Sequence, residues 1–365
     1  MTARVAIDAL AVQHSGRGVS RVLRQLAPLL LHSTAEVDAF VLTTAQGAQL
    51  IGPVDGEVVI VPRMPKSVWE QTALPSLAIR HGADRLYTHS ECGPLWGPAT
   101  LLHVPEDPYV RWSTAPVDSR HEWLRRSYQR AVMPKSIARA ARLVASSQAI
   151  ADQLRARFAP PTPFEIVPLG VDTTLFYPDH GGITDLTIFH LGSDEPRDQT
   201  EFVLTTYATA LTHCPSLPDL FIAGNLVQLR PRLLAKISAL GLAHRVHLLG
   251  RVSDNELRRL YSQCAICLQP ARYEGFGLQP LEALACSAPL VALADPAVAN
   301  VVGDAATLVA DHSIESFAYA ISTLWQDHST RTSHRIRGLE RAATFTWKRT
   351  AHLLTQQLLD MTRHS

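Results

Sequence analysis

Short apolar runs of strand length alternate with amphipathic runs of helix length along the whole chain, and this alternation restricts the fold more than any other feature. In the first half the strand-like runs are RVAIDAL, VDAFVLTT, EVVIVP, RLYTHS, ATLLHVP, RLVASS and FEIVPLG. In the second they are DLTIFHLG, DLFIAG, RVHLLG, AICLQP, PLVALA and ATLVA. Between them lie VSRVLRQLAPLLLHS, AIADQLRARF, LRPRLLAKISALG, DNELRRLYSQC and IESFAYAISTLWQD, whose apolar residues recur at helical spacing. Strand, helix, strand, repeated, builds a parallel sheet with crossover helices. The pattern runs twice and is interrupted by the Gly-, Pro- and Asp-rich stretch PLGVDTTLFYPDHGG at 168–182. The expected fold is α/β, with two Rossmann-like domains whose parallel sheets face each other across a cleft. Residues 1–172 form the first domain and 173–347 the second. A ligand is expected at the carboxyl ends of the strands.

The remaining bulk properties exclude more than they assign. A chain of 365 residues suits two domains of ordinary size. Lys plus Arg number 34 against 33 Asp plus Glu, a formal charge of +1, so no global field draws the chain to nucleic acid or membrane. No apolar run reaches the roughly 20 residues needed to span a bilayer. The opening MTARVAIDALAVQHSG turns polar too early for a signal peptide and reads as a first buried strand. The five cysteines are scattered. Cys264 and Cys267 form a C-x-x-C, but inside the strand-like CAICLQP and without a second ligand pair, so no metal or redox site is read there. A reducing cytoplasm fits.

The stretch YEGFGLQPLEAL, residues 273–284, carries the densest chemistry. Pro280 is tolerated in a helix's first turn and clashes further in, so a helix begins only a few residues before it. Glu274 then lies in the preceding loop and Glu282 in the opening turn. Gly275 and Gly277 allow positive φ and close approach of a ligand to the main chain. Their N–H groups, with those of the helix start, would form a nest for an anion or hydroxyl. A plain helix-start signal, with an acid favoured by the dipole, accounts for Glu282 but not for Glu274 or the Gly-Phe-Gly.

These residues resemble a known family. RYEGFGLQPLEALACSAPLVA (272–292) is similar to the donor-binding signature of the retaining family 4 glycosyltransferases of GT-B fold. Other stretches resemble that family in the same order: SGRGVSRVLRQLAPLL (15–30), LLHVPEDP (101–108), FEIVPLGVDTTLFYP (164–178), RVHLLGRVSDNELRRLYSQCAICLQP (245–270), VVGDAATLV (301–309) and FTWKRTAHLL (345–354). The resemblance covers nearly the whole chain and implies that 348–365 is a helix that returns to the first domain. It implies a nucleoside-diphosphate-sugar donor, a hydroxyl acceptor and retention at the anomeric carbon. Glu274 and the N–H groups of Gly275, Phe276 and Gly277 would hold the donor sugar, and Glu282 the ribose hydroxyls. Gly16 and Gly18 would let a loop close over the phosphates. His103 would point into the cleft near the sugar. Gly192, Val252 and Leu278 complete the implied donor contacts. Catalysis would rest on electrostatic stabilisation of the leaving diphosphate. No Asp-x-Asp pair is present, so no metal or other cofactor is expected.

The chain departs from the family pattern at the diphosphate grip. The family places an arginine and then a lysine after the glycine that ends its strand. Here HLGSDEPRDQTEF (190–202) puts Ser193 and Asp198 near those positions. Arg197 is the loop's only cation and is assigned the grip, since its guanidinium holds phosphate oxygens bidentately; the alternative is a solvated loop arginine. Ser287 stands where the family has glycine, and Asn300 where it often has glutamate. These losses keep a second reading open, a degenerate GT-B subunit that binds nucleotide or a partner without turnover.

The segment 111–142 is rich in arginine. As a helix it would put Trp123, Leu124, Tyr128, Ala131 and Val132 on one side, with Arg125, Arg126 and Arg130 more exposed. Such a piece suits peripheral contact with an anionic membrane at its inner face, and hence a lipid-linked glycan as acceptor in polysaccharide assembly. An ordinary helix packed on the first domain explains the same residues.

Overall fold

The computed structural model describes residues 2–13, 18–32, 37–114, 119–179 and 186–361. The chain divides into two compact units, Met1–Gly170 with Thr346–Ser365, and Val171–Phe345.

The first unit is built on a seven-stranded sheet of β1 (Ala3–Asp8), β2 (Val37–Thr43), β3 (Glu57–Ile60), β4 (Arg85–His89), β5 (Ala99–Val104), β6 (Arg142–Ala145) and β7 (Phe164–Ile166). Their order is β3-β2-β1-β4-β5-β6-β7, and every pairing is parallel. Val5, Ala6 and Ile7 of β1 are fully buried, which is why the strand reads as a continuous apolar run and not as an alternation. Leu42, Trp69, Leu74 and Leu86 form one core cluster. Leu102, Met133, Ile137, Leu143 and Leu154 form a second. The helix Trp347–Asp360 belongs to this unit. Leu354 and Leu358 are buried, Thr350 Oγ1 donates to the Pro168 carbonyl at 2.7 Å, and the Arg85 guanidinium donates to the Leu358 carbonyl. Gly170 is required at that junction, because a Cβ there would stand 2.3 Å from the Trp347 nitrogen.

The second unit carries a six-stranded sheet of β8 (Thr187–Ser193), β9 (Asp219–Asn225), β10 (Val246–Gly250), β11 (Ile266–Gln269), β12 (Leu290–Leu293) and β13 (Ala306–Val309). The order is β10-β9-β8-β11-β12-β13, again all parallel. Ile188, Leu204, Tyr207, Leu220, Ile222, Leu268 and Phe317 fill its core. The five cysteines are buried and unbridged, and Cys267 lies within β11. Ser287 takes φ 65°, the left-handed region in which glycine is the favoured residue. Arg335 fixes it by donating to the Ser287 carbonyl at 2.8 Å and to that of Cys264 at 2.9 Å.

The helix Arg120–Arg139 corrects the sequence reading of its faces. Its buried stripe is Arg126, Gln129, Met133, Ser136 and Ile137, whereas Trp123 and Leu124 are 57% and 51% exposed. Ala131 is exposed as well. The predicted stripe is displaced because the arginines are engaged by the protein. Arg126 Nε donates to Glu122 Oε1 at 2.6 Å, Arg125 Nη2 to the same oxygen at 2.7 Å, and Arg139 Nη2 to the Gly97 carbonyl at 2.7 Å. Arg130 lies over the Trp112 ring at 5.1 Å.

Candidate functional site

Each sheet reverses its direction of growth once, and ligands of open parallel sheets bind outside the carboxyl ends of the strands at that switch. In the first unit the switch falls between β1 and β4, in the second between β8 and β11. Both switch points gather polar chemistry.

In the second unit β8 ends at Gly192 and Ser193. A Cβ on Gly192 would stand 2.4 Å from Thr200 Oγ1, and one on Gly224 of β9 would stand 1.8 Å from the Gly192 carbonyl oxygen. Only glycines let these backbones close on each other. Ser193 Oγ donates to the Asp198 carboxylate and accepts the Glu195 N–H at 3.1 Å, so the two residues standing near the family's cation positions are tied together. Arg197 lies between them in a short 3-10 turn, partly buried. Its carbonyl accepts the N–H of Arg272 at 3.1 Å, which joins the loop after β8 to the loop after β11. His190, whose pKa burial pushes down to about 4, spans the same switch with Nδ1 3.1 Å from the Leu268 carbonyl.

The β11 loop is held in an unusual conformation. Tyr273 has φ 62°, and its N–H donates to Asp295 Oδ2 at 3.0 Å. Asp295 Oδ1 meanwhile accepts the Ala297 N–H at 3.0 Å and caps the next helix. A tyrosine held at positive φ by a second element is a strained residue of the kind that collects at binding sites. Arg272 Nη2 donates to the Tyr273 hydroxyl at 2.9 Å, and its guanidinium lies 5.0 Å from the Tyr273 ring centre. Glu274 and Gly275 follow, both partly buried. Phe276 is buried edge-on against Phe345, with ring centres 5.8 Å apart. Gly277, at φ 100°, starts the helix Leu278–Ala285, and Pro280 is its third residue, as the sequence requires. Glu282 is 3% exposed and stands in the second turn of that helix, not the first, because the helix begins at Leu278. Gly250 ends β10 at φ 73°, and Val252 is partly buried just beyond it.

In the first unit the switch is occupied by a cavity of about 340 Å³. Asp8 ends β1 and His89 ends β4, and both line it together with Arg63, Lys66, Glu70 and Glu91. Asp8 accepts Thr88 Oγ1–H at 2.9 Å, Trp69 Nε1–H at 2.9 Å and the Leu10 N–H at 3.2 Å, and burial raises its pKa. Glu70 sits on a single π-helical turn, Trp69–Ala73, a distortion often found at functional sites. It accepts Ser90 Oγ–H and Tyr128 O–H, each at 2.7 Å, and burial pushes its pKa up to about 7 against the pull of Lys66 and those two bonds. Lys66 Nζ stands 2.5 Å from Glu91 and 3.7 Å from Glu70. His89 is neutral, its pKa pushed down to about 4 by burial, and its Nδ1 has no hydrogen-bond partner among the described residues.

His103 does not line this cavity. It is fully buried on β5, with Nδ1 3.1 Å from the Tyr87 hydroxyl and Nε2 2.9 Å from Ser146 Oγ. It meets the cavity through His89, whose ring packs edge-on against it at 4.2 Å. The sequence expectation places His103 near a sugar; in this unit both of its ring nitrogens are engaged inside the sheet. Gly18 takes φ 68° before the helix Val19–Leu31, and Gly16 lies outside the described residues. Sequence reasoning missed Asp8, Lys66, Glu70, His89, Glu91 and Arg272. Asp8 and His89 were visible as polar residues ending apolar strands, whereas Lys66 and Glu70 reach the site through a π-turn that has no sequence signature. Among the described residues no group of three or more His, Cys, Asp or Glu side chains is placed to hold a metal ion.

Comparison with known proteins follows this geometry. Residues 188–341 match the family model of glycosyl transferases group 1, and residues 16–175 that of glycosyltransferase family 4. The MMP alpha-(1->4)-mannosyltransferase of Mycolicibacterium hassiacum is 31% identical over 264 residues, covering 70% of this chain and 61% of that protein. The chain thus spans less than two thirds of that curated relative. Sucrose-phosphate synthase from Thermosynechococcus elongatus superposes with a TM-score of 0.78 at 18% identity over all of both chains. Anabaena HepE, solved with UDP and glucose, superposes at 0.73 and 17% identity over 98% of this chain and 99% of its own. At these identities the structures establish a common fold.

Proposed function

The chain belongs to the family 4 glycosyltransferases of GT-B fold, and from that premise we propose that it moves a sugar from a nucleoside-diphosphate donor to a hydroxyl acceptor with retention at the anomeric carbon. The observation that carries this reading is the Arg272–Arg197 backbone bond at the β8–β11 switch, which brings one arginine-bearing loop against the Glu274 and Gly-Phe-Gly loop. The leaving diphosphate develops negative charge as the glycosidic bond breaks. Arg197 grips it from the β8 loop, and the main-chain N–H groups at Gly275 to Gly277 and the following helix start add oriented dipoles. Glu274 accepts hydrogen bonds from the sugar hydroxyls and Glu282 from the ribose, with Gly192, Val252 and Leu278 lining the donor. The reading requires no metal. The cavity at the β1–β4 switch receives the acceptor. His103 acts there through His89, fixing its ring, and Gly18 precedes the helix Val19–Leu31.

A panel of UDP, GDP, TDP and ADP in thermal-shift measurements tests the donor. One diphosphate is expected to raise the melting temperature in a concentration-dependent way. With the matching sugar nucleotide, the product's anomeric configuration by NMR then tests retention, and inversion would overturn it. The Ser193–Asp198 contact, in place of two cations, favours the second reading of a nucleotide-binding subunit without turnover. Tight nucleotide binding with no transfer or hydrolysis of any donor would establish it.

Cell-envelope polysaccharide or glycolipid assembly, on a cytoplasmic lipid-linked acceptor, is the setting the family resemblance suggests. Among the described residues no helix is long and apolar enough to cross a membrane. Peripheral contact rests instead on the exposed Trp123 and Leu124. Flotation with anionic liposomes is expected to carry the wild type and not a Trp123→Ser, Leu124→Ser variant; equal flotation would move the contact elsewhere.

A further inference from the structure

The walls of the first unit's cavity state what kind of molecule it accepts. Its charged groups are three acids, Asp8, Glu70 and Glu91, and two bases, Arg63 and Lys66. The Lys66 ammonium, on a half-exposed side chain, is paired with Glu91 at 2.5 Å and lies 3.7 Å from Glu70. Arg63 is exposed at the rim, where a contact to an anion is worth little. The deep groups are hydrogen-bond acceptors. The Asp8 carboxylate is 8% exposed, and the side chain of Glu91 is 13% exposed. His89, at 4% exposure, adds a ring nitrogen that the described residues do not satisfy. Leu10, Val19, Leu23, Met64 and Trp69 supply an apolar wall. Asp8 already accepts from Thr88, Trp69 and Leu10, and Glu91 from Lys66, so the open ring nitrogen of His89 is the group a ligand meets, while a ligand that brings a phosphate or carboxylate would face two acids across a low-dielectric gap. Vicinal hydroxyls on a sugar or cyclitol ring bring donors, while their C–H faces suit the apolar wall.

We infer that this cavity selects an uncharged polyhydroxyl ring as acceptor and rejects phosphorylated or carboxylated ones, with Asp8, His89 and Glu91 as the specificity-determining groups. Glu70 is a positioning residue that holds Lys66 and Ser90 in place. Calling the occupant an acceptor rests on the sugar-transfer reading; the selection itself rests on the walls alone.

Saturation-transfer difference NMR on the full chain tests it. The uncharged probes are methyl α-mannoside, methyl α-glucoside, methyl α-galactoside and myo-inositol. The charged probes are mannose 6-phosphate, glucose 6-phosphate, inositol 3-phosphate and glucuronate. At least one uncharged probe is expected to be saturated, with every charged probe at least fivefold weaker. Glu91→Gln should lower the uncharged signal at least threefold, and Glu91→Lys should admit the sugar phosphates. The inference is overturned if charged probes bind as well as uncharged ones, if no uncharged probe binds, or if neither substitution at Glu91 changes the pattern. Nucleotide thermal shifts on the same samples confirm folding of the variants and separate the two ideas. Loss of all nucleotide response in the wild type would sink the transferase reading, whereas a normal nucleotide response with the wrong probe pattern would sink only this one.

Discussion

Arg197→Ala is expected to lower kcat/KM for sugar transfer by about 10- to 150-fold, the loss of one charge-assisted contact worth about 1.5–3 kcal/mol. The expectation follows from what surrounds it. Ser193 and Asp198 hold each other and bring no positive charge to the β8 loop. Arg272 is the neighbouring cation, and it is already drawn onto its own Tyr273. The loss should appear in kcat as well as KM, because the charge on the diphosphate grows as the glycosidic bond breaks. Arg197→Lys should recover only part of the rate, since an ammonium cannot reproduce the two-pronged grip. Arg272→Ala should cost less than Arg197→Ala. Equal transfer by wild type and Arg197→Ala, in a variant that melts normally, would remove Arg197 from the mechanism.

The second large effect is one of stability. Glu70→Gln is expected to flatten the dependence of folding free energy on pH between about 4.5 and 8. Burial raises the folded-state pKa of Glu70 from 4.5 to about 7. In that window the folded chain keeps a proton that the unfolded chain has released. The stabilisation is therefore complete below the unfolded value and is lost as pH rises through the folded one, by up to about 3 kcal/mol. Lys66, Glu91, Ser90 and Tyr128 face this carboxyl and are unchanged in the variant. His89, with its pKa pushed down to about 4, contributes the opposite slope at acid pH, and it does so in both proteins, so it cancels in the comparison. Urea denaturation at pH 5 and pH 8 should show wild type and variant converging at the acid end and separating at the alkaline end, with the variant the more stable. Parallel behaviour at both pH values would mean that Glu70 titrates as an ordinary surface acid.

The fold was legible because parallel strands buried on both faces leave unbroken apolar runs, as at Val5–Ile7 and within CAICLQP. The helix start after Gly277 was legible too, since Pro280 limits where a helix begins, whereas the positive φ of the loop falls on Tyr273 and Gly277 and not on Gly275. The faces of the helix Arg120–Arg139 were not. A count of apolar spacing treats arginine as solvent-facing, and it has no way to register that Glu122 and a backbone carbonyl bury Arg126. The cavity at the β1–β4 switch was hidden for a different reason. Asp8 and His89 lie 81 positions apart and meet only because β4 is laid beside β1, a pairing that belongs to topology and not to local pattern.

The first unit is discontinuous in sequence, and this sets an order on its completion during synthesis. The second unit, Val171–Phe345, is contiguous and has all its strands once residue 345 leaves the ribosome. The first unit, although made earlier, still lacks the partners of Arg85 and of the Pro168 carbonyl, which are supplied by Leu358 and Thr350. Its outer layer therefore closes only once the helix Trp347–Asp360 has been made. A nonsense codon shortly before Trp347 would leave the second unit able to fold and the earlier-made unit exposed to proteases and self-association.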